Sequence, residues 1–133
     1  YLLGKFARVA LRTSNIDYNG RFCMSLAAAA SINAFGIDRG LPFPVEDISG
    51  AETIILVGSN AAETMPPIMQ YFEKQQSSGG NLIVVDPRSS PTAQRAGLHI
   101  QLTPGTDCAL ANGILHVLIV EDLVDEEYIR ERT

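Results

Sequence analysis

The stretch TIILVGSN, Thr53 to Asn60, contains the strongest fold signal in the sequence. Its apolar residues run without interruption and end at a glycine, a pattern that predicts a short strand buried on both faces of a parallel sheet. A helix is expected next, over Pro66 to Gln76, because proline is tolerated in the first turn of a helix. NLIVVDPR then predicts a second buried strand, Leu82 to Val85, which stops at Asp86-Pro87. Two strands around a helix indicate a βαβ unit.

The same alternation continues downstream. Leu98 to Leu102 is predicted as a third strand, and Cys108 to Val120 as an apolar helix. Cys108 is expected to be a core residue of this helix, and His116 a core or edge residue. Alternating strands and helices predict the α/β class, with an open, mostly parallel, Rossmann-like sheet, flanking helices and right-handed crossovers.

A helical segment is predicted to precede the sheet. It contains an amphipathic helix at the start of the chain and an alanine-rich helix over Phe22 to Ala34, which Gly36 is expected to stop. Cys23 is therefore predicted in the first turn of the second helix. We expect one fragment of a larger protein, with this Cys-bearing segment at residues 1–45 and the α/β part at residues 46–133.

Composition excludes some classes of partner. The formal net charge of -5 argues against general attraction to nucleic acid or to an anionic membrane surface. No apolar run reaches the roughly 18 residues of a transmembrane helix. The two cysteines, Cys23 and Cys108, form no Cys-x-x-Cys pair, so reduced thiols and a cytoplasmic location are expected.

Three loops carry the groups that suit a nucleotide. GSNAAE, DPRSS and TPGTD follow the three predicted strands, and in open parallel sheets ligands bind at the carboxyl ends of strands. Gly58 permits close backbone approach, and Arg88 can make charge-assisted bonds to phosphate. The alternative is that Asn60, Thr106 and Asp107 merely cap helices. The sequence lacks G-x-G-x-x-G and a P-loop, which disfavours a nicotinamide cofactor and a nucleoside triphosphate.

Four segments together resemble a known family. NGRFCMSLAAAA, VGSNAAETMPP, VVDPRSSPTAQRA and LTPGTDCAL, in that order, resemble the molybdopterin oxidoreductases that carry a bis(molybdopterin guanine dinucleotide) cofactor with molybdenum. Within that family the chain is most similar to the bacterial assimilatory nitrate reductases. The resemblance implies two-electron reduction of nitrate to nitrite by oxygen-atom transfer at molybdenum, with electrons from an iron-sulfur cluster that lies outside this sequence. It does not identify the electron donor, and the isolated fragment is expected to be inactive.

The resemblance also implies the site residues. Cys23 matches the position whose thiolate ligates molybdenum, and Asn19 matches a residue that contacts the pterin. The expected cofactor-binding positions in the three loops are Gly58, Ser59, Asn60 and Glu63, then Asp86 and Arg88, and then Gly105, Thr106 and Asp107, the last of which would bind the guanine.

Two other functions stay open. A formate dehydrogenase of the same family would share the fold and the cofactor, although a histidine after the cysteine is expected there and this chain has Met24. A noncatalytic nucleotide-binding module is the other alternative, in which Cys23 is a packing residue and the loops only cap helices.

Overall fold

The computed structural model describes residues 1–38 and 40–132, and the chain divides into two units, Tyr1–Pro44 and Val45–Thr133. The first unit contains helix α1, Leu2–Val9, and helix α2, Asn19–Phe35. As predicted, α2 ends at Gly36, which adopts a left-handed conformation with φ +74° and donates its N–H to the carbonyl of Ile32.

The prediction that Cys23 lies in the first helical turn is wrong. Helix α2 begins at Asn19, so Cys23 is its fifth residue and lies in the second turn. Only about the first four amides of a helix lack a partner within it. A free amide at Cys23 therefore cannot be used to explain a thiolate at this position.

The second unit is an α/β domain. Its helices and strands are β1, Thr53–Val57; α3, Ala61–Thr64; α4, Met69–Ser77; β2, Asn81–Val85; β3, Leu98–Ile100; α5, Asp107–Val120; and α6, Glu126–Arg132. Short 3-10 turns occupy Val45–Gly50, Pro66–Ile68 and Ala93–Arg95. The predicted helix after β1 is thus formed by a proline-containing 3-10 turn that leads into α4. Neither α3 nor α6 was predicted.

The described strands form one three-stranded sheet in the order β1-β2-β3, with both pairings parallel. Ile55 is opposite Ile83, and Val85 is opposite Ile100. The α/β class, the open parallel sheet and the βαβ unit are therefore confirmed. The third strand ends two residues earlier than predicted, at Ile100 rather than Leu102.

The core lies on one face of the sheet. Phe72 and Met69 of α4 pack there with Leu82 and Val84 of β2, which are 1% and 0% exposed. Burying a side chain of this kind contributes about 1.5–3 kcal/mol relative to leaving it exposed, so this cluster holds α4 against the strands.

The expectation that β1 is buried on both faces is wrong. Ile54 and Leu56 are half-buried and contact the core, but Ile55 and Val57 remain 49% and 59% exposed on the opposite face. The core elements cover only the first of these faces. A continuous apolar run predicts a strand correctly without showing that both faces are covered.

Helix α5 is also exposed. Cys108 is exposed, so its prediction as a core residue is wrong for this structure. His116 is exposed as well, so of the two positions expected for it, core or edge, the core is excluded. No helix within the part of the chain that the structure describes has the length and hydropathy needed to cross a membrane.

Gln75 joins α4 to the beginnings of two strands. Its side chain is 1% exposed, and its amide nitrogen donates to the carbonyls of Ala51 and Asn81, each at 3.1 Å. Gly80 lies directly against this amide, and a Cβ there would overlap the Gln75 side chain. The contact therefore requires glycine at position 80.

Replacing Gly80 by alanine is expected to lower the free energy of unfolding by about 1–3 kcal/mol, because the buried Gln75 amide would be displaced from its carbonyl partners. Chemical denaturation of the purified protein measures the change. Gly50→Ala is the matched control, since a Cβ at Gly50 meets no heavy atom within 4 Å. Equal stability of the two variants would contradict the role given to the Gln75 contact.

Candidate functional site

The three predicted loops follow β1, β2 and β3 at the same edge of the sheet, because all three strands run in parallel. In sheets of this type the carboxyl edge is where ligands bind. The prediction that the sequence segments GSNAAE, DPRSS and TPGTD lie at one edge is therefore confirmed by the topology.

The first loop begins at Gly58, which donates its N–H to the carbonyl of Val85 at 2.8 Å. Its φ is +63°, a conformation that favours glycine, and no heavy atom lies within 4 Å of the position that a Cβ would take. The backbone at Gly58 is thus held by β2 and open on its side-chain face. A ligand can approach the main chain closely at this point.

Asn60 of the same loop is hydrogen-bonded to Glu63 and also to Thr92, which lies 32 residues further along the chain. The side-chain nitrogen of Asn60 donates to a Glu63 carboxylate oxygen, and the side-chain oxygen of Asn60, Oδ1, accepts from the Thr92 hydroxyl at 3.0 Å. Thr92 lies between β2 and β3 and is completely buried. Ser59, which precedes Asn60 in the chain, is half-buried.

The second loop is organised around Asp86. This residue is only 4% exposed, and its carboxylate accepts from the backbone N–H of Arg88 at 2.8 Å. The Arg88 guanidinium is 3.9 Å from the same carboxylate and its side chain is 76% exposed. Asp86 therefore shapes the loop, while Arg88 offers positive charge to solvent. Ser90 is buried and accepts from the N–H of Ala93, so its hydroxyl oxygen is already used within the chain.

The third loop contains Gly105, whose φ is +89°, followed by Thr106 and Asp107 at the start of α5. The Thr106 hydroxyl donates to the carbonyl of Thr103 at 2.7 Å. Asp107 is exposed, and its carboxylate makes no hydrogen bond or ion pair with residues that the structure describes. Its carboxylate is therefore free to accept from a ligand.

Side chains of β3 and the residues after it hold the second loop in place. His99 donates from Nε2 to the carbonyl of Asp86 at 2.8 Å, since a carbonyl can only accept. Gln101 donates to the carbonyl of Pro87 at 2.7 Å. With Thr92, these two residues hold the first and second loops of the site, and none of the three was predicted as a site residue.

Helix capping does not account for Asn60 and Thr106. Asn60 and Thr106 occupy N-cap positions of α3 and α5, but neither makes a side-chain cap hydrogen bond. Their side chains are bonded to other residues instead. The alternative explanation, in which these residues are present as caps, is therefore not supported for either one.

Cys23 and Asn19 belong to the first unit. Both are exposed, and a separation of four residues places them on one face of α2, one turn apart. Asn19 is the first residue of the helix. This spacing allows both side chains to contact one ligand that lies along that face, so the predicted pairing is compatible with the helix geometry.

The donor set fits an organic cofactor. The carboxyl edge offers open backbone at Gly58, a cation at Arg88 and an acceptor at Asp107. These are groups that suit a phosphate and a purine base. Within residues 1–38 and 40–132, no cluster of three or more His, Cys, Asp or Glu side chains could hold a metal ion, and Cys23 remains the predicted metal ligand.

These features define a class of protein: an α/β domain with three polar loops at the carboxyl edge of a parallel sheet. Residues 1–129 match the family model described as molybdopterin oxidoreductase. The chain belongs to that family, as the motifs predict.

Relatives align with the whole chain. It is 53% identical to the assimilatory nitrate reductase catalytic subunit of Bacillus subtilis (strain 168), 41% identical to the F420-dependent formate dehydrogenase 1 subunit alpha of Methanococcus maripaludis and 40% identical to an assimilatory nitrate reductase of Haloferax mediterranei. Each alignment covers 100% of this chain but only 19%, 20% and 18% of the respective relative. The chain thus spans about a fifth of the length of the curated relatives that it matches.

Proposed function

We propose that this chain is part of the bis(molybdopterin guanine dinucleotide) site of a molybdenum enzyme that reduces nitrate to nitrite. The observation that carries the proposal is the carboxyl edge of the sheet, where three polar loops lie and where Thr92, His99 and Gln101 hold the first two of them in place. Similarity to two assimilatory nitrate reductases over the full chain supports nitrate as the substrate.

Each predicted residue has a role in this proposal. When bound, the cofactor supplies the two-electron oxygen-atom transfer that converts nitrate into nitrite, and the protein supplies position and electrostatics. Cys23 ligates molybdenum, and Asn19 contacts the pterin. The three loops bind one guanine dinucleotide arm, which approaches the main chain closely at Gly58 and Gly105. Hydrogen bonds to this arm are donated by Ser59, Asn60 and Arg88 and accepted by Glu63 and Asp107. The shape of the second and third loops is held by Asp86 and Thr106.

The rest of the proposed enzyme lies outside this sequence. The chain has only Cys23 and Cys108, which cannot hold a four-cysteine iron-sulfur cluster, so electrons would arrive from a cluster on another segment. The proposal includes a cytoplasmic location, in keeping with nitrate assimilation. The isolated chain is expected to be inactive.

Formate oxidation is the second candidate. It is favoured by the 41% identity to a formate dehydrogenase subunit over the whole chain. Met24 after Cys23 argues for nitrate, because the resemblance leads us to expect a histidine there in formate dehydrogenases. A noncatalytic nucleotide-binding module is the third candidate, and it predicts a protein without molybdenum.

The test uses the full-length protein that contains this chain. Its molybdenum content and its viologen-linked turnover of nitrate and of formate are measured on the same preparation. Molybdenum with nitrate turnover would support the proposal. Formate turnover alone would replace the substrate, and a correctly matured protein that lacks molybdenum would contradict the whole assignment.

Replacing Arg88 by alanine is expected to weaken cofactor retention about tenfold, because a charge-assisted hydrogen bond to phosphate contributes about 1.5–3 kcal/mol. Guanine nucleotide released by acid from the purified full-length protein measures retention. Arg95→Ala is the matched control, since Arg95 is also exposed and ion-paired, with Glu73 at 3.2 Å, but lies in the crossover before β3. Equal retention by both variants would remove Arg88 from the site.

A further inference from the structure

We infer that Thr92 is a positioning residue for the ligand-binding loop after β1: its buried hydroxyl fixes the rotation of the Asn60 amide and, through it, the place of the Glu63 carboxylate. This inference rests on the proposed function, because it concerns the same loop. Thr92 lies 32 residues after Asn60 and belongs to the crossover between β2 and β3.

The Thr92 hydroxyl makes two hydrogen bonds of opposite sense. Its oxygen accepts from the backbone N–H of Ala62 at 2.9 Å, and its hydrogen is then directed to the side-chain oxygen of Asn60 at 3.0 Å. Thr92 is 0% exposed, so no solvent replaces either partner. The hydroxyl is therefore the link between the first loop and the segment that follows the second.

These bonds permit only one orientation of the Asn60 amide. With its oxygen toward Thr92, the amide nitrogen faces the Glu63 carboxylate and donates to it. Rotation by 180° would place the Asn60 oxygen against the Glu63 carboxylate, where two acceptors repel. It would also leave the buried Thr92 hydrogen without an acceptor, which costs about 1–3 kcal/mol.

The fixed orientation determines what the loop offers to a ligand. One hydrogen of the Asn60 amide is left over after the bond to Glu63, and one Glu63 carboxylate oxygen is not used by that bond. The loop thus presents a donor beside an acceptor at the carboxyl edge of the sheet. A ligand with an adjacent acceptor and donor, such as a ribose hydroxyl or a polar heterocycle, matches this pair.

The matched variants are Thr92→Val, which keeps the branched shape and removes the hydroxyl, and Thr92→Ser, which keeps the hydroxyl and removes the methyl group. Both are made in the full-length protein, alone and combined with Asn60→Ala. Two quantities are measured: guanine nucleotide retained after gel filtration, and the hydrogen-exchange rate of the Ala62 amide.

We expect Thr92→Val to retain about 3–10-fold less nucleotide, as for the loss of one buried hydrogen bond. The Ala62 amide should exchange faster in this variant, because its acceptor is gone. Thr92→Ser should restore both quantities. With Asn60 already replaced by alanine, Thr92→Val should cause a clearly smaller further loss of nucleotide than it does alone, because the part of its effect that the Asn60 amide transmits is already gone.

Three results would overturn the inference. Thr92→Val with normal nucleotide retention would show that the loop needs no fixing, and Thr92→Ser behaving like Thr92→Val would show that the methyl group matters instead. An additive loss in the double variant would remove Asn60 from the link. A wild-type protein without any bound guanine nucleotide would instead contradict the proposed function itself, and with it the ligand that Thr92 is inferred to serve.

Discussion

Replacing Cys23 by serine is expected to lower nitrate turnover of the full-length protein by about 100-fold or more. Loss of a group that only supports a metal ligand costs about 10–100-fold, so loss of the ligand itself should cost at least as much. A serine hydroxyl stays protonated near neutral pH and offers a harder oxygen in place of a soft thiolate. Viologen-linked kinetics and molybdenum content of the same preparation give the two readouts.

Cys108→Ser is the matched control for this experiment. Both cysteines are free and exposed, so both variants remove one accessible thiol, but only Cys23 has an asparagine one turn before it on the same helix face. We expect Cys108→Ser to keep wild-type turnover. If Cys23→Ser keeps it as well, the identification of Cys23 as a ligand is wrong.

The position of Cys23 in α2 removes the helix start as the reason for a thiolate there, and the Cys23→Ser experiment stays the same. Because it lies in the second turn of α2, the four free amides at the helix start precede it. The role of the helix is then mainly to hold the Cys23 sulfur in a fixed, solvent-exposed position.

The fold was predictable wherever the signal is local. The run Ile54 to Val57 followed by Gly58, and the run Leu82 to Val85 followed by Asp86-Pro87, each combine apolar content with a stop residue within a few positions. Parallel pairing then follows from the helix between them. The stop of α2 at Gly36 was predictable for the same reason, since a left-handed residue ends a helix locally.

Burial was less predictable than secondary structure. Ile55 and Val57 are as apolar as their half-buried neighbours Ile54 and Leu56, yet they lie on the face that the core does not cover. Sequence shows that a side chain is apolar, but the packing of distant elements decides whether it is buried. The exposure of Cys108 on α5 illustrates the same limit.

Thr92 could not be found from sequence, because its role depends on contacts 30 and 32 residues away. It lies within the segment VVDPRSSPTAQRA, but nothing in that segment indicates a contact with Asn60. Sequence does not reveal the roles of His99 and Gln101 either, which bind carbonyls 13 and 14 residues earlier in the chain. Motifs identified the groups that can contact a ligand, and only the folded chain shows which residues hold those groups in place.

The second large effect is expected from Gly58→Val, which should lower cofactor retention by about 10–100-fold, because forcing extra methyl groups into a space that the bound cofactor would occupy costs about 1–3 kcal/mol. Gly58 has φ +63°, where a β-branched residue is strongly disfavoured, and the space beside it is open. Valine would both displace the loop and fill the space through which a ligand reaches the main chain. Released guanine nucleotide and molybdenum content measure the loss.

Gly79→Val is the matched control, which separates a local effect on the binding site from general destabilisation of the domain. Gly79 also has a positive φ, +91°, and open space where a Cβ would stand, but it lies before β2, at the opposite edge of the sheet. Both variants incur a backbone penalty of about 1–2 kcal/mol, so both should lose similar stability in chemical denaturation. Only Gly58→Val should lose the cofactor. Equal cofactor loss in the two variants would mean that general destabilisation is responsible, and that Gly58 does not line the binding site.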